Sequence, residues 1–230
     1  MKISVIIPAY NEEKFIARAL QSLLEQTRKI DEIIVVNNNS TDATVEIAKS
    51  FGVTVINETR QGMIPARDAG FNRASGDIIA RIDSDTLVKT DWAQRIEDNF
   101  RNPETVGLVG SISYADSWFF GLMNYSFLYI KVIKWISGRN VLMGPSMAIR
   151  SDVWQKIKYD VCQDDKRVHE DVDLALNVSA HGTIDHDKLW TADTSARRIV
   201  GNPISFFFEY PYRLLKTFKH NRRRQIPKHI

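Results

Sequence analysis

Short apolar runs alternate with stretches of helical spacing through the first half of this 230-residue chain. That alternation limits the possible folds more than any other feature. Residues 3–7 form an apolar run closed by Pro8. Asn11 stands where it could cap a helix reaching Gln26, in which Phe15, Ile16, Ala19, Leu20, Leu23 and Leu24 recur at helical spacing. Residues 32–36 read as a second strand, and Ser40 or Thr41 as the cap of a helix running to Phe51 and stopped by Gly52. Residues 53–56 form a third strand, and Pro65 opens a helix that ends near Gly76. Residues 77–82 form a fourth strand, a helix starts at Thr90-Asp91-Trp92, and residues 106–113 form another strand. Apolar strands separated by helices predict an α/β fold: a mostly parallel central sheet covered on both faces.

In such sheets ligands bind at the carboxyl ends of the strands, and here those ends are polar. They read Pro8-Ala9-Tyr10-Asn11-Glu12, Asn37-Asn38-Asn39-Ser40-Thr41-Asp42 and Asp83-Ser84-Asp85. Asn, Asp and Ser also favour turns, but three such ends converge on one sheet edge. Asp83 and Asp85 sit two residues apart, and carboxylates that close repel unless a cation or proton lies between them. Oxygen ligands suit Mg²⁺ or Mn²⁺, which are often shared with substrate phosphates. The chain has no P-loop motif and no G-x-G-x-x-G after the first strand, which argues against a P-loop NTPase or a Rossmann dehydrogenase.

The motif order resembles family 2 glycosyltransferases of the GT-A fold. The similarity runs from residues 4–13 through residues 35–42, Ala66-Arg67-Asp68-Ala69-Gly70 and Ala74-Ser75-Gly76-Asp77. It continues through residues 82–86, residues 144–150 and Glu170-Asp171-Val172-Asp173-Leu174, covering about residues 1–180. The resemblance implies transfer of a sugar from a nucleoside diphosphate donor, with inversion and metal assistance. It implies nucleotide contacts from Pro8, Ala9, Tyr10, Glu12, Asn38, Arg67, Asp83 and Ser84. Asp85, with Asp83, would hold Mn²⁺ or Mg²⁺, and Asp171, with Glu170 beside it at a helix start, would be the general base. Arg197 and Arg198 are expected to bind diphosphate, since paired guanidiniums suit phosphate geometry. Family members often carry Asp where this chain has Asn37 and Asn38, and some carry a Gln soon after the metal aspartates, where Thr86 and Leu87 stand here. His169, His181 and His186 are candidates for a further metal ligand. A nucleotide-sugar pyrophosphorylase would want a Gly-rich N-terminal loop with an Arg, which residues 8–13 lack. A non-catalytic nucleotide-binding member is the other alternative.

The expected domain spans residues 1–200, with a nucleotide-binding half (1–110) and an acceptor half (111–200). A basic aromatic tail (201–230), amphipathic and helical, follows. Charge sets the tail apart: residues 1–209 carry a net −4 and the last 21 carry +7. Phe206, Phe207, Phe208, Tyr210, Tyr212, Leu214, Leu215 and Phe218 interleave with those cations, the composition of a helix at an anionic membrane surface. A solvated tail whose aromatics pack on the domain is the alternative. Nucleic acid is not an expected partner, because the body lacks basic excess. Residues 118–136 are apolar nearly all round, yet a membrane span there would put Asp85 and Asp171 on opposite sides. A buried core helix or one leaning into the interface remains. The single Cys162 fits a reducing compartment. Residues 1–8 give way to Asn11-Glu12-Glu13 too early for a secretory leader. A cytoplasmic protein, peripheral at the inner face of the membrane, with a saccharide or lipid-linked acceptor, is therefore expected.

Overall fold

The structure is a computed structural model that describes residues 1–114, 125–164, 167–197, 201 and 210–223. The described elements in chain order are β1 (Ile3–Ala9), α1 (Ile16–Leu24), β2 (Glu32–Asn37), α2 (Thr44–Ser50), β3 (Thr54–Asn57), α3 (Met63–Arg73), β4 (Ile78–Arg81), β5 (Leu87–Val88) and α4 (Trp92–Asn99). Then come β6 (Thr105–Tyr114), α5 (Tyr125–Ser137), β7 (Met147–Arg150), α6 (Ser151–Ile157), α7 (Glu170–Val178), β8 (Thr183–Thr194) and α8 (Tyr210–Arg223). The strands form one sheet in the order β3-β2-β1-β4-β7-β6-β8-β5.

The expected α/β sheet is present, and its two halves differ. The half built from β3, β2, β1 and β4 is parallel throughout. Beyond β4 the sheet is mixed: β7 runs antiparallel to both β4 and β6, β8 is parallel to β6, and β5 is antiparallel to β8. The reversal at β7 brings its first residue opposite the last residue of β4, with Arg81 facing Met147 in the register. The residues just before β7, Gly144 to Ser146, therefore lie beside the strand end that carries Asp83.

Alternation along the parallel strands explains the two cores. Ile6, Ile34, Val36 and Ile79 face one side, with Ala66 and Phe71 of α3. Ile3, Val5, Ile7, Val35, Ile78 and Ala80 face the other, with α1 through Ile16, Ala19, Leu20 and Leu23 and α4 through Trp92, Ala93 and Ile96. Both faces are covered, which is why these strands read as continuous apolar runs. On the second face the Trp92 and Trp190 rings stack at 5.1 Å, and Trp190 Nε1 donates to the Trp92 carbonyl at 3.0 Å. That pair ties β8 to α4.

Helix starts differ from the sequence reading. Asn11 does not cap α1: it is left-handed (φ 54°), and its side-chain oxygen accepts from the Thr41 amide. The helix begins five residues later, because the β1 end is used to bind the β2 end. Helix α2 starts at Thr44 rather than after Ser40 or Thr41, because Asp42 Oδ1 accepts from the Thr44 amide and the turn of residues 40–43 is needed first. Helix α3 starts at Met63, two residues before Pro65. Of the apolar segment 118–136, residues 118–124 lie outside the described residues, as do Phe206, Phe207, Phe208, Arg224 and Lys228 of the tail. No helix among the described residues is long and apolar enough to cross a membrane.

Gly70 is required for α3 to approach the sheet. A Cβ there would fall 2.2 Å from Ile6 Cγ2. Gly70→Ala should therefore destabilise the fold by about 1–3 kcal/mol through overpacking. Urea denaturation measures it, and a loss below a few tenths would mean that α3 can shift without cost.

Candidate active site

Two charged clusters stand at the carboxyl edge of the parallel strands. The first is built around Arg81, the last residue of β4. Its guanidinium is buried, at 3% side-chain exposure. Nη2 donates to Asp83 Oδ1 at 3.1 Å, and Nη1 meets Glu170 Oε1 and, at 3.4 Å, Asp171 Oδ1. Arg67 of α3 reaches the same carboxylate from the other side, with Nη1 donating to Glu170 Oε2 at 2.7 Å. Its remaining fork is held by Asp68 Oδ1 at 2.9 and 2.7 Å. Asp83 and the Glu170-Asp171 pair, 87 residues apart in sequence between Asp83 and Glu170, are thus joined through one guanidinium.

Gly144 completes this cluster. Its amide donates to Asp171 Oδ2 at 2.9 Å. A Cβ at this position would lie 2.6 Å from Arg81 Nη2, so only glycine lets the backbone close on both partners. Glu170 and Asp171 open α7, where the helix N-terminus favours negative charge.

The environment drives the two carboxyls apart. Burial would push Glu170 up, but Arg81 and then Arg67 outweigh it and pull it down to about 2. Burial, followed by the adjacent Glu170 charge, raises Asp171 well above the usual carboxylate range, against the pull of Arg81. Adjacent carboxyls with divergent affinities for a proton form an acid–base pair. Asp171 is the member of the pair with the higher proton affinity.

The second cluster surrounds Asp85. Arg197 Nε donates to Asp85 Oδ2 at 2.9 Å, and Arg197 Nη2 donates to both oxygens of Glu12 at 2.5 and 2.6 Å. Thr194 Oγ1 donates to Asp85 Oδ1 at 3.2 Å. The Arg197 guanidinium also lies 4.2 Å over the Phe15 ring. Segments far apart in the chain meet here: the β1 end, the β4 end and the residues after β8.

The other expected nucleotide contacts divide into outward and inward groups. Tyr10 is 51% exposed just after β1, while Pro8 and Ala9 before it are buried. Ser84 is buried between the two aspartates. Asn38 turns inward: Oδ1 accepts from the Gly62 amide at 2.9 Å, and Nδ2 donates to the carbonyls of Glu58 and Arg60 at 2.8 and 2.7 Å. It fixes the loop before α3. Arg67 is likewise committed to Asp68 and Glu170. Arg198 lies outside the described residues.

No three His, Cys, Asp or Glu side chains among the described residues gather to hold a metal ion. The histidine candidates lie in other settings. His186 contacts Ser111 Oγ, His181 follows α7 in a turn, and His169 packs near the Tyr129 ring. Asp83 and Asp85 nonetheless fit Mg²⁺ or Mn²⁺, whose sites commonly use one or two carboxylates and complete the shell with water and phosphate oxygens. The guanidinium at Asp85 already shows the demand for positive charge there.

Sequence reasoning missed Arg81 and Thr194, and it gave Asp68 and Gly144 no individual role although both stand in motifs it recognised. Arg81 was findable: an arginine inside the apolar strand Ile-Ile-Ala-Arg-Ile must be buried with partners. Thr194 carries no comparable signal, and the 144–150 motif does not show that the Gly144 amide reaches Asp171.

A parallel half-sheet ending in the Asp83-Ser84-Asp85 turn, followed by a mixed half whose helix α7 brings Glu170 and Asp171 to the same edge, matches the GT-A fold class. Solved structures agree on the fold. TarS of Staphylococcus aureus superposes with a TM-score of 0.66 at 18% identity, covering 86% of this chain and 61% of that one. The mannosyltransferase PcManGT of Pyrobaculum calidifontis, solved with GDP-Man and Mn²⁺, gives 0.67 at 19%, covering 85% and 57%. The family model described as Glycosyl transferase family 2 matches residues 4–158, and the chain belongs to that family. Glycosyltransferase AglE of Haloferax volcanii is 31% identical over 166 residues, 67% of this chain and 54% of that protein. Glycosyltransferase GlyA of Streptococcus pneumoniae is 38% identical over 100 residues, 41% of this chain and 14% of that protein. The chain thus spans about half, or less, of these relatives' lengths.

Two outcomes are expected. Arg81→Met leaves buried carboxylates without their cation and should destabilise by about 3–5 kcal/mol. A double-mutant cycle with Glu170→Gln should show strong coupling, and independent effects would dissolve the cluster. The second concerns His169, held at about 4 by burial, with help from Arg213 and Arg81 and opposed by Glu170. A depressed pKa gives stability that is present above the unfolded value of 6.5 and lost as pH falls through about 4. Asp171, with a raised pKa, works in the opposite sense. The melting temperature of His169→Gln should therefore fall less than wild type between those pH values, and parallel curves would refute it.

Proposed function

We propose that this chain transfers a sugar from a nucleoside diphosphate sugar to the hydroxyl of a saccharide or lipid-linked acceptor, with inversion at the anomeric carbon. The reading rests above all on Asp171. It is a part-buried carboxyl of raised proton affinity, anchored by the Gly144 amide and linked through Arg81 to Asp83. The donors named in the neighbouring structures, GDP-Man and UDP-GlcNAc, support the donor class.

In this mechanism Tyr10 carries the base on its ring face, above Pro8 and Ala9. Asp83 and Ser84 meet the donor at the β4 end. Asp85 and Asp83 would hold Mn²⁺ or Mg²⁺, which would supply positive charge to the diphosphate. Arg197, released from Asp85 and Glu12, is positioned to add a second cation to the departing diphosphate. The acceptor O–H gives its proton to Asp171, and the oxygen attacks the anomeric carbon from the face opposite the leaving group. The bond to the diphosphate oxygen breaks with its electron pair, and the free nucleoside diphosphate leaves. Glu170 remains ionised between Arg81 and Arg67 throughout and keeps the pair in place.

Transfer assays with a panel of UDP-, GDP- and TDP-sugars, with and without Mn²⁺, test the reaction. Asp171→Asn should lower kcat by about 10²–10⁴-fold while the thermal shift produced by nucleoside diphosphate persists. Unchanged kcat would remove Asp171 from the chemistry. With Asp171 as base, kcat/KM rises with pH along an acid limb above the ordinary carboxylate range. A profile flat down to pH 4 would exclude it.

A further inference from the structure

We propose that the outward face of α5 is a docking surface for an anionic lipid bilayer, held against the membrane beside the acceptor end of the site. It extends the function proposed above, on which the acceptor's place in a membrane depends.

Helix α5 is anchored to the body by Ile130 and Ile133, each 2% exposed. Its opposite side is apolar as well. Leu128 (52% exposed), Val132 (43%), Trp135 (87%) and Ile136 (52%) are spaced 4, 3 and 1 residues apart and so share one helical arc. A contiguous apolar stripe of this kind, with an indole at its end, is a contact surface rather than scattered exposure.

Charge selects the occupant. Lys131 and Lys134 are exposed along one edge of the arc, and α5 contains no acidic residue. The Lys131 ammonium lies 4.3 Å over the Phe127 ring and the Lys188 ammonium 5.4 Å from it, so a third cation approaches from β8. Leu189, next to Lys188, is 67% exposed. Lysines that lay their methylene stems along an apolar face and present their charge at its rim match the headgroup boundary of an anionic leaflet. A second copy would bring the same lysines to the same rim, and like charges would meet.

Helix α8 repeats the pattern. Leu214, Thr217 and Phe218 pack inward, while Tyr212 (58% exposed), Leu215 (70%), Lys216 and Lys219 face outward. Both helices reach His169, the residue before Glu170. The Tyr129 ring lies 6.4 Å from the His169 ring, and Thr217 Oγ1 accepts from the His169 amide at 2.7 Å. Two helices with apolar and cationic outer faces thus border the N-terminus of α7, where Asp171 stands.

The test is cosedimentation of the full chain with vesicles of phosphatidylcholine, alone or mixed with phosphatidylglycerol, without donor or turnover. The chain should bind the mixed vesicles and partly release in high salt. Trp135→Ser, and Leu128→Ser combined with Val132→Ser, should each weaken binding by about tenfold or more. Lys131→Gln and Lys134→Gln should each weaken it about fivefold on anionic vesicles only. The thermal shift produced by nucleoside diphosphate, unchanged in every variant, certifies the fold. Failure of the wild-type chain to bind, or wild-type binding by the α5 variants, would overturn the proposal. So would a dimer by light scattering that Trp135→Ser dissociates. Vesicle binding by a chain that transfers no sugar would leave this surface standing and the reaction refuted.

Discussion

A buried guanidinium with carboxylates from two halves of the molecule around it is the interaction on which the site depends. Arg81 cannot be left unpaired at the end of a core strand, because an isolated buried charge costs several kcal/mol. Asp83, Glu170 and Asp171 stabilise it, and Arg67 shares Glu170 from the opposite side. Those carboxylates would in turn repel one another without it. The cluster therefore fixes α7 against β4 and sets the proton affinities of Glu170 and Asp171 in opposite directions. Gly144 owes its identity to the same cluster, since any side chain would strike the guanidinium.

The topology makes this meeting possible. A sheet that continued parallel would return every strand end to the same edge only after a further helix. The antiparallel β7 instead turns back directly beside β4, so the loop before it enters the site. β8, parallel to β6, then carries the chain forward again to Thr194 and Arg197 at the same edge. Asp85 is closed over by a residue 112 positions later in the chain. The Arg197 guanidinium bridges Asp85 to Glu12 and covers the Phe15 ring, which links the β1 end to the β4 end. In the proposed function, donor binding would redistribute that pairing and so couple the segment after β8 to occupancy of the site.

Local physics made part of this legible in advance. The α/β class, the strands of the parallel half and their polar carboxyl ends followed from apolar runs and turn chemistry. These are short-range signals with fixed periods. Helix starts were less legible: Asn11 and Asp42 have the composition of caps but are used to tie strand ends together, and which use wins depends on a partner 30 residues away. β8 was absent from the sequence reading because its alternation is interrupted by His186, Asp187 and Lys188. Asn38 and Arg67 were recognisable as residues of the strand-end region, but their inward hydrogen bonds were not.

By itself, then, the sequence determined the family, the layered fold, the acidic strand end and the separation of an acidic body from a basic aromatic tail. Composition and motif order are properties of one dimension and survive without coordinates. Only the tertiary structure decided that Arg81 joins Asp83 to Asp171, that Arg197 rests on Asp85, and that α5 buries one apolar face while exposing another. Each of these depends on which distant segments share a low-dielectric space. There a charge must find its partner or remain unstable, and no spacing along the chain records that.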